Sequence, residues 1–273
     1  MRVAVVGHLE WIRFARVERV PATGEIAHST EDWEEVGGGG AVAAIQLAQL
    51  AGEASLFTAI GDDELGRRSF EELTARGVTV HAEIVAGKPQ RWALTHVDDT
   101  RERTITTVGE KLKPRGHDES LPWHELSGAD AVFFVAGDVD ALVRARRARV
   151  LTATTRELAT LRRGSLVLDA LIGSGEDENE RYRPGELDPP PRLVVSTSGA
   201  LGGWAQPGGP YSAAAPAAPV EDAYGAGDCF AAGLTFALAS RLGPAEAVAF
   251  AARCGAAALT GRGVSPQRVE LAG

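Results

Sequence analysis

The sequence contains very little lysine. Of its 28 basic residues, three are lysines (Lys88, Lys111 and Lys113) and the remaining 25 are arginines. None of the three lysines follows a glycine-rich loop, so the lysine-bearing phosphate loop G-x-x-x-x-G-K-[ST] is excluded. The formal net charge of −9 and the scattered arginines also exclude the clustered basic field that binding to nucleic acid or an anionic membrane requires.

Cysteine and long apolar runs are scarce as well. The two cysteines, Cys229 and Cys254, make neither a disulfide framework nor a zinc-site spacing, so we expect a cytoplasmic protein. No stretch reaches the length of a transmembrane span, and the apolar run that ends at Gly7 is too short for a signal peptide. A hydrolase serine is also excluded, because the G-x-S-x-G elbow is missing.

Short apolar segments alternate with helical patterns along most of the chain. This alternation predicts an α/β fold with a doubly wound, mainly parallel sheet sandwiched by helices. The predicted strands cover residues 3–6, 55–60, 131–135, 150–153, 166–169 and 193–196. Two other segments, 11–36 and 91–108, alternate apolar and polar residues as strands with one wet face do, so we expect a small β appendage. All of this is expected to form a single domain over residues 1–273.

A glycine-rich turn precedes a predicted helix near the C-terminus. The backbone N–H groups of Gly225, Ala226 and Gly227 and the positive end of the helix dipole could face an anion there. Asp228 follows in the first helical turn. It is either a helix-capping carboxylate or a general base that takes a proton from an attacking hydroxyl beside the anion pocket.

The segment Asp222-Ala-Tyr-Gly-Ala-Gly-Asp228 resembles the C-terminal signature of the ribokinase-like (PfkB) family of carbohydrate kinases. Five further segments are similar to motifs of that family and occur in the family's order: residues 21–25, 37–41, 61–66, 197–202 and 261–263. Each motif alone is weak evidence. Six in the same order, spread over nearly the whole chain, make the resemblance specific.

The resemblance implies an ATP-dependent kinase that phosphorylates a hydroxyl of a sugar or sugar derivative, with a small β-strand lid formed by about 11–36 and 91–108. It implies Asp228 as the catalytic base. It implies an anion hole formed by Gly225, Ala226 and Gly227. It also implies nucleotide contacts from Thr197, Gly199 and Gly202. The implied substrate contacts are Glu10, Gly38 and Gly39. Because lid-to-lid dimers are common in the family, we expect a homodimer through the lid.

The resemblance also implies Mg²⁺ and a monovalent cation such as K⁺. The family's metal-organising Asn-x-x-Glu best matches Asp177-Glu-Asn-Glu180, in which Asp177 replaces the asparagine and both carboxylates are expected to act through water. The alternative interpretation is a solvated acidic loop. Asp222 is the residue expected to order the monovalent cation.

The substrate end departs from the family pattern. The polar residues that commonly hold sugar hydroxyls in the family correspond to Ile12 and Val42, with Glu10 as the nearest carboxylate. Losing two polar groups removes hydroxyl-specific discrimination, so a nucleoside acceptor remains an alternative. The predicted lid contains three aromatic residues, Trp11, Phe14 and Trp92. They either stack on the acceptor or form the lid core or a dimer interface.

Two other function classes compete with a kinase. Gly38-x-Gly40-x-x-Ala43 fits a dinucleotide-binding motif of an oxidoreductase, and Asp62 lies about 20 residues further on. That motif should close the first strand, however, and it follows the charged run 31–35 instead. A catalytically silent, metabolite-binding family member is the second alternative; a mere binder needs neither Asp228 nor Glu180.

Overall fold

The computed structural model describes residues 1–271; residues 272 and 273, the end of the predicted domain, lie outside the described residues. In chain order, the strands and helices are β1 (Val3–Val6), β2 (Glu10–Arg16), β3 (Glu31–Gly37), α1 (Gly39–Ala51), β4 (Ala54–Gly61), α2 (Glu64–Ala75), β5 (Val78–Val85), β6 (Trp92–Val97), β7 (Arg103–Val108), β8 (Ala131–Phe134), α3 (Val139–Ala145), β9 (Val150–Thr154), α4 (Leu158–Gly164), β10 (Ala170–Ser174), β11 (Val194–Thr197), β12 (Gly203–Gln206), β13 (Gly209–Tyr211), α5 (Ala226–Ala239) and α6 (Pro244–Ala258).

The central sheet has nine strands in the order β13-β12-β11-β10-β9-β8-β1-β4-β5. All neighbours from β11 to β5 pair in parallel, and only the β12–β13 hairpin adds antiparallel pairs at one edge. The predicted α/β fold with a mainly parallel sheet is therefore confirmed.

Helices cover both faces of this sheet. Successive residues of β1 point to opposite sides, so Val3 and Val5 pack in a core with α1, α5 and α6, while Ala4 and Val6 join a second core with α3 and Trp123. Burial on both faces explains why the strands are continuously apolar. Among residues 1–271, no helix combines the length and the apolar character needed to cross a bilayer.

A second sheet of four strands, in the order β3-β2-β6-β7, stands apart from the central one. We call it the small sheet. Its strands fall almost entirely within the two segments with alternating pattern. One face is apolar: Phe14 stacks on Trp33, with 4.6 Å between ring centroids, and also contacts Tyr224 edge-on. Strand β7 is exposed along its whole length.

The local prediction is wrong at one strand. Residues 166–169 connect α4 to the sheet, and the strand begins only at Ala170. The Asp169 carboxylate accepts the Leu151 N–H (2.8 Å) and pairs with Arg146 (2.9 Å). These side-chain interactions hold the connecting segment against strand β9 before β10 begins. An apolar pattern alone cannot distinguish such a segment from a strand.

Candidate active site

The candidate residues follow the carboxyl ends of neighbouring parallel strands. Because β1, β8, β9, β10 and β11 run in the same direction, the loops after them meet at one edge of the sheet. In open α/β sheets ligands bind at this edge. The helices that begin there, α1 and α5, present their N-termini to the same space.

The N-terminus of α5 is built on a glycine that the packing requires. Gly225 caps the helix with φ at 74°, and a Cβ atom added to it would lie 2.9 Å from Cγ1 of Val42 in α1. The left-handed conformation and the close approach both favour glycine. Gly227 is exposed, and a Cβ added there would meet nothing within 4 Å. The start of α5 therefore borders open space at Gly227, and an anion hole at a helix N-terminus needs such space.

Asp228 lies in this first turn, partly buried and pressed against α1. A Cβ atom added to Gly39 would lie 2.9 Å from Oδ1 of Asp228, so the carboxylate touches the start of α1. No group among residues 1–271 donates a hydrogen bond to this carboxylate, which favours the general-base interpretation over helix capping. Burial raises the pKa of Asp228 to about 6 against the opposing charges of Arg103 and Arg156. At neutral pH the group is mainly ionised and able to accept a proton.

The start of α1 brings the predicted substrate residues to Asp228. Gly38 has φ at 82°, and its N–H donates a 2.9 Å hydrogen bond to Oη of Tyr224. A Cβ atom added to Gly38 would lie 3.0 Å from the backbone nitrogen of Glu10. Gly38 thus packs against Glu10, and Gly39 packs against Asp228, so two consecutive glycines lie between these two acidic residues.

Glu10 is buried in an ion pair. Its Oε1 lies 2.7 Å from Nε of Arg91 and 3.8 Å from Nε2 of His8. Burial raises the pKa of Glu10, and the charges of Arg91 and Lys111 act against the rise. The pKa of His8 is well below its usual range because the ring is buried and Lys111 and Arg91 repel a second positive charge. The imidazole is therefore neutral at physiological pH.

Sequence reasoning missed the cations around this space. Lys111 is half-buried just after β7, and burial together with the charge of Lys113 lowers its pKa. Lys113 pairs with Glu157, with 2.9 Å between Nζ and Oε1. Arg156, after β9, completes the group. One signal was available in the sequence: two of its three lysines lie within three residues, next to a segment of the predicted lid.

The candidate metal residues meet Arg156. Its guanidinium pairs with Glu180 and lies 3.5 Å from Oδ2 of Asp177. Oε2 of Glu180 also accepts the Ser174 N–H at 3.0 Å. The charge of Glu180 raises the pKa of Asp228, so both carboxylates face one space. Hard oxygen donors at this position fit a hydrated Mg²⁺, which would share the two carboxylates with Arg156.

The candidate nucleotide residues adjoin the metal loop. Thr197 ends β11, and Gly199 and Gly202 follow in a short turn with φ at 50° and 91°. A Cβ atom added to Gly175, just before the metal loop, would lie 2.7 Å from Oγ of Ser196 in β11 and 3.4 Å from Oγ of Ser198, so the metal loop packs closely against the end of β11.

Asp222 has a structural environment. Its fully buried carboxylate accepts hydrogen bonds from the N–H groups of Gly263 (2.5 Å) and Tyr224 (2.8 Å). Burial nevertheless raises its pKa. Asp222 thus ties the loop before α5 to the C-terminal segment, and an ordered monovalent cation at this carboxylate stays a prediction.

The two apolar residues at the substrate end belong to the core. Ile12 and Val42 are 0% and 1% exposed, and Val42 packs against Gly225. The aromatic residues likewise support the lid-core interpretation: Trp11 is buried and donates from Nε1 to Glu34, and Arg13 covers the ring of Trp92 at 4.7 Å.

Comparison with known proteins gives a consistent picture. The model of the pfkB family carbohydrate kinases matches residues 1–159 and 139–270. A curated ribokinase from Dictyostelium discoideum is 27% identical over 108 residues, which are 39% of this chain and 34% of that protein. The match thus spans about a third of the curated relative.

Two solved structures are similar over almost the whole chain. The ribokinase of Arabidopsis thaliana, complexed with ribose and ATP, has a TM-score of 0.72 and 19% identity, and the match covers 97% of this chain and 96% of that one. The adenosine kinase of Sinorhizobium meliloti has a TM-score of 0.77 and 19% identity, with 97% and 95% covered. At these identities the likeness concerns the fold.

Proposed function

Because this chain belongs to the pfkB family of carbohydrate kinases, phosphotransferases with an alcohol group as acceptor, we propose that it transfers the γ-phosphate of ATP to a hydroxyl of a sugar or sugar derivative. The observation that carries this proposal is the position of Asp228. A carboxylate with a pKa of about 6 borders the open N-terminus of α5 and touches the start of α1. One group thus faces both an anion-binding turn and the predicted acceptor site.

Asp228 acts as the general base. Its carboxylate takes the proton from the acceptor hydroxyl, which makes the oxygen a better nucleophile. The N–H groups of Gly225, Ala226 and Gly227 stabilise the negative charge of the phosphoryl group, since they are held in place by the helix and need no reorganisation. Gly38, Gly39 and Glu10 line the acceptor side.

ATP and Mg²⁺ are the expected cosubstrate and cofactor. Thr197, Gly199 and Gly202 would contact the nucleotide, and Asp177 and Glu180 would hold Mg²⁺ through water. When bound, Mg²⁺ neutralises phosphate charge. Arg156, paired with both carboxylates, holds them at the edge of the space that Asp228 faces.

The small sheet is proposed as the lid, and its outer strand as a dimer contact. Strand β7 is an edge strand with every residue exposed, including Ile105 (42%) and Val108 (39%). An unpaired, exposed edge can add strands from a second copy. We expect sedimentation to show a dimer, and we expect Ile105→Asp to dissociate it.

A cytoplasmic location stays a prediction.

An ATP-consumption screen tests the proposed activity. The acceptors are hexoses, pentoses, sugar phosphates, sugar acids and nucleosides, each assayed with Mg²⁺ and with Asp228→Asn as the control. Turnover of a sugar or sugar derivative that Asp228→Asn abolishes, with ADP affinity retained, supports the proposal. Turnover of nucleosides alone would establish the other acceptor class. ATP binding without turnover of any acceptor would favour a silent, metabolite-binding protein.

A further inference from the structure

Lys111 is a half-buried cation without an acidic partner. Among residues 1–271, no carboxylate lies within 4.0 Å of its ammonium group, whereas Arg91, Lys113 and Arg156 nearby each have such a partner. Its pKa is lowered because burial outweighs the attraction of the more distant Glu157 and Glu10, and the positive charges of Lys113 and Arg91 add to the decrease. Holding an unpaired ammonium in this position is unfavourable, so the group is placed for something that is not part of the chain.

The neighbouring charges do not neutralise Lys111. Arg91 is paired with Glu10, and Lys113 is paired with Glu157 through two contacts of 2.9 and 3.0 Å. These two pairs cancel, which leaves the charge of Lys111 unbalanced. His8 adds no negative charge and remains neutral. In a protein with a net charge of −9, this corner of the site is locally positive.

The unbalanced charge lies on the acceptor side of the site. Lys111 acts on the pKa values of His8 and Glu10, which follow β1 and border the start of α1. Lys111 also follows β7, the outer strand of the small sheet that is proposed as the lid over the acceptor. We therefore assign its anion to the acceptor, and the KM for ATP and the affinity for ADP in the test below distinguish this anion from a nucleotide phosphate.

We propose that the acceptor is an anionic sugar derivative and that Lys111 binds its carboxylate or phosphate group. This inference rests on the proposed function and narrows its substrate class. Arg91 assists by keeping Glu10 neutralised, so that an anion can approach without meeting a free carboxylate. The acceptor would lie along Gly38 and Gly39, with its reacting hydroxyl at Asp228. Its anionic group would be held by Lys111 at the other end of the acceptor.

The test compares acceptors that differ only in charge. Gluconate and glucose 6-phosphate are each paired with glucose, and ribose 5-phosphate is paired with ribose. We expect kcat/KM to favour an anionic member over its neutral partner. The carboxylate and phosphate arms distinguish the two sources of the anion. In Lys111→Gln, KM for the preferred anionic acceptor should rise roughly 30-fold, the loss expected for one charged hydrogen bond, while kcat and the KM for ATP change little.

Two control variants isolate the charge. Lys88→Gln removes an exposed lysine that pairs with Glu110, and it should leave all parameters unchanged. Lys111→Arg should restore part of the anion preference, because it restores the charge. A merely structural role for Lys111 would instead lower stability or kcat with every acceptor alike.

Direct binding measurements test the anion site at Lys111 separately from the proposed kinase activity. Titration calorimetry with gluconate and with glucose 6-phosphate, in the presence of ADP, should show binding that Lys111→Gln weakens. If anions bind in this way but no acceptor is phosphorylated, the anion site stands and the kinase proposal fails. If neutral sugars are turned over as well as anionic ones, or Lys111→Gln weakens ADP as much as the acceptor, the inference is overturned.

Discussion

Arg91 and Glu10 form an ion pair where the small sheet meets the start of α1, with 2.7 Å between Nε and Oε1. The two side chains are 17% and 10% exposed, so water screens this pair poorly. Burial raises the pKa of Glu10, and the guanidinium is what limits the rise. The pair therefore supports both the local fold and the charge balance of the candidate acceptor site.

Arg91→Met should destabilise the protein in a pH-dependent way. The Glu10 carboxylate would stay buried without its cation, which costs about 3 kcal/mol near pH 7.5. Its folded-state pKa would then lie further above the unfolded value of about 4.3, so the penalty is complete above the folded pKa and disappears below pH 4. Urea unfolding near pH 7.5 and below pH 4 measures the difference in the free energy of unfolding between the wild-type protein and the variant. The double variant with Glu10→Gln should recover most of the loss, and an equal loss at both pH values would contradict the argument.

The activity should fall in acid because Asp228 must be deprotonated to accept a proton. With a pKa of about 6, kcat/KM should be half-maximal near pH 6 and decrease about tenfold for each pH unit below it. In Asp228→Asn, kcat should drop by a factor of about 10² to 10⁴. A pH–rate profile from 5 to 8 measures the first effect, with circular dichroism at pH 5 as the control for folding. A flat profile would remove Asp228 from the role of base.

Two glycines of the α5 turn should respond differently to alanine. Gly225→Ala forces a non-glycine residue to φ 74° and places Cβ 2.9 Å from Val42, which should cost about 2 kcal/mol or more. Gly227→Ala meets no atom within 4 Å and should fold normally. Thermal unfolding compares the two. Since Gly227 borders the proposed anion hole, its variant should lose turnover without losing stability. Equal melting temperatures for both variants would refute the distinction.

Glu180 and Glu178 provide a matched pair for the metal site. Glu180→Gln should raise the Mg²⁺ concentration for half-maximal activity roughly tenfold, because it removes a negative charge that faces Asp228. Glu178 lies in the same loop but is 72% exposed and pairs with Arg181, so Glu178→Gln should leave the titration unchanged. Identical Mg²⁺ titrations for the two variants would support the solvated acidic loop instead.

Much of the fold could be predicted because its signals are local. Continuous apolar strands alternating with helices indicate a parallel sheet wherever they occur, and the start of α6 at Pro244 is determined by its own residue. Strand β5 and the β12–β13 hairpin were not predicted. Both lie at sheet edges, where burial is incomplete and the apolar pattern is weak: β5 has two buried residues and β13 has none.

The sequence by itself predicted the fold class and located the glycine turns, since both depend on residues that are close together in the chain, and its resemblance to the family implied Asp228 as the base. Only the tertiary structure decided that Glu10, Gly39 and Asp228 adjoin, and that Lys111 has no acidic partner among residues 1–271. Ion pairing and burial depend on which distant segments meet, and no local pattern contains that information. The scarcity of lysine excludes a phosphate loop, whereas the position of Lys111, which the tertiary structure determines, is the basis of the proposed anion site.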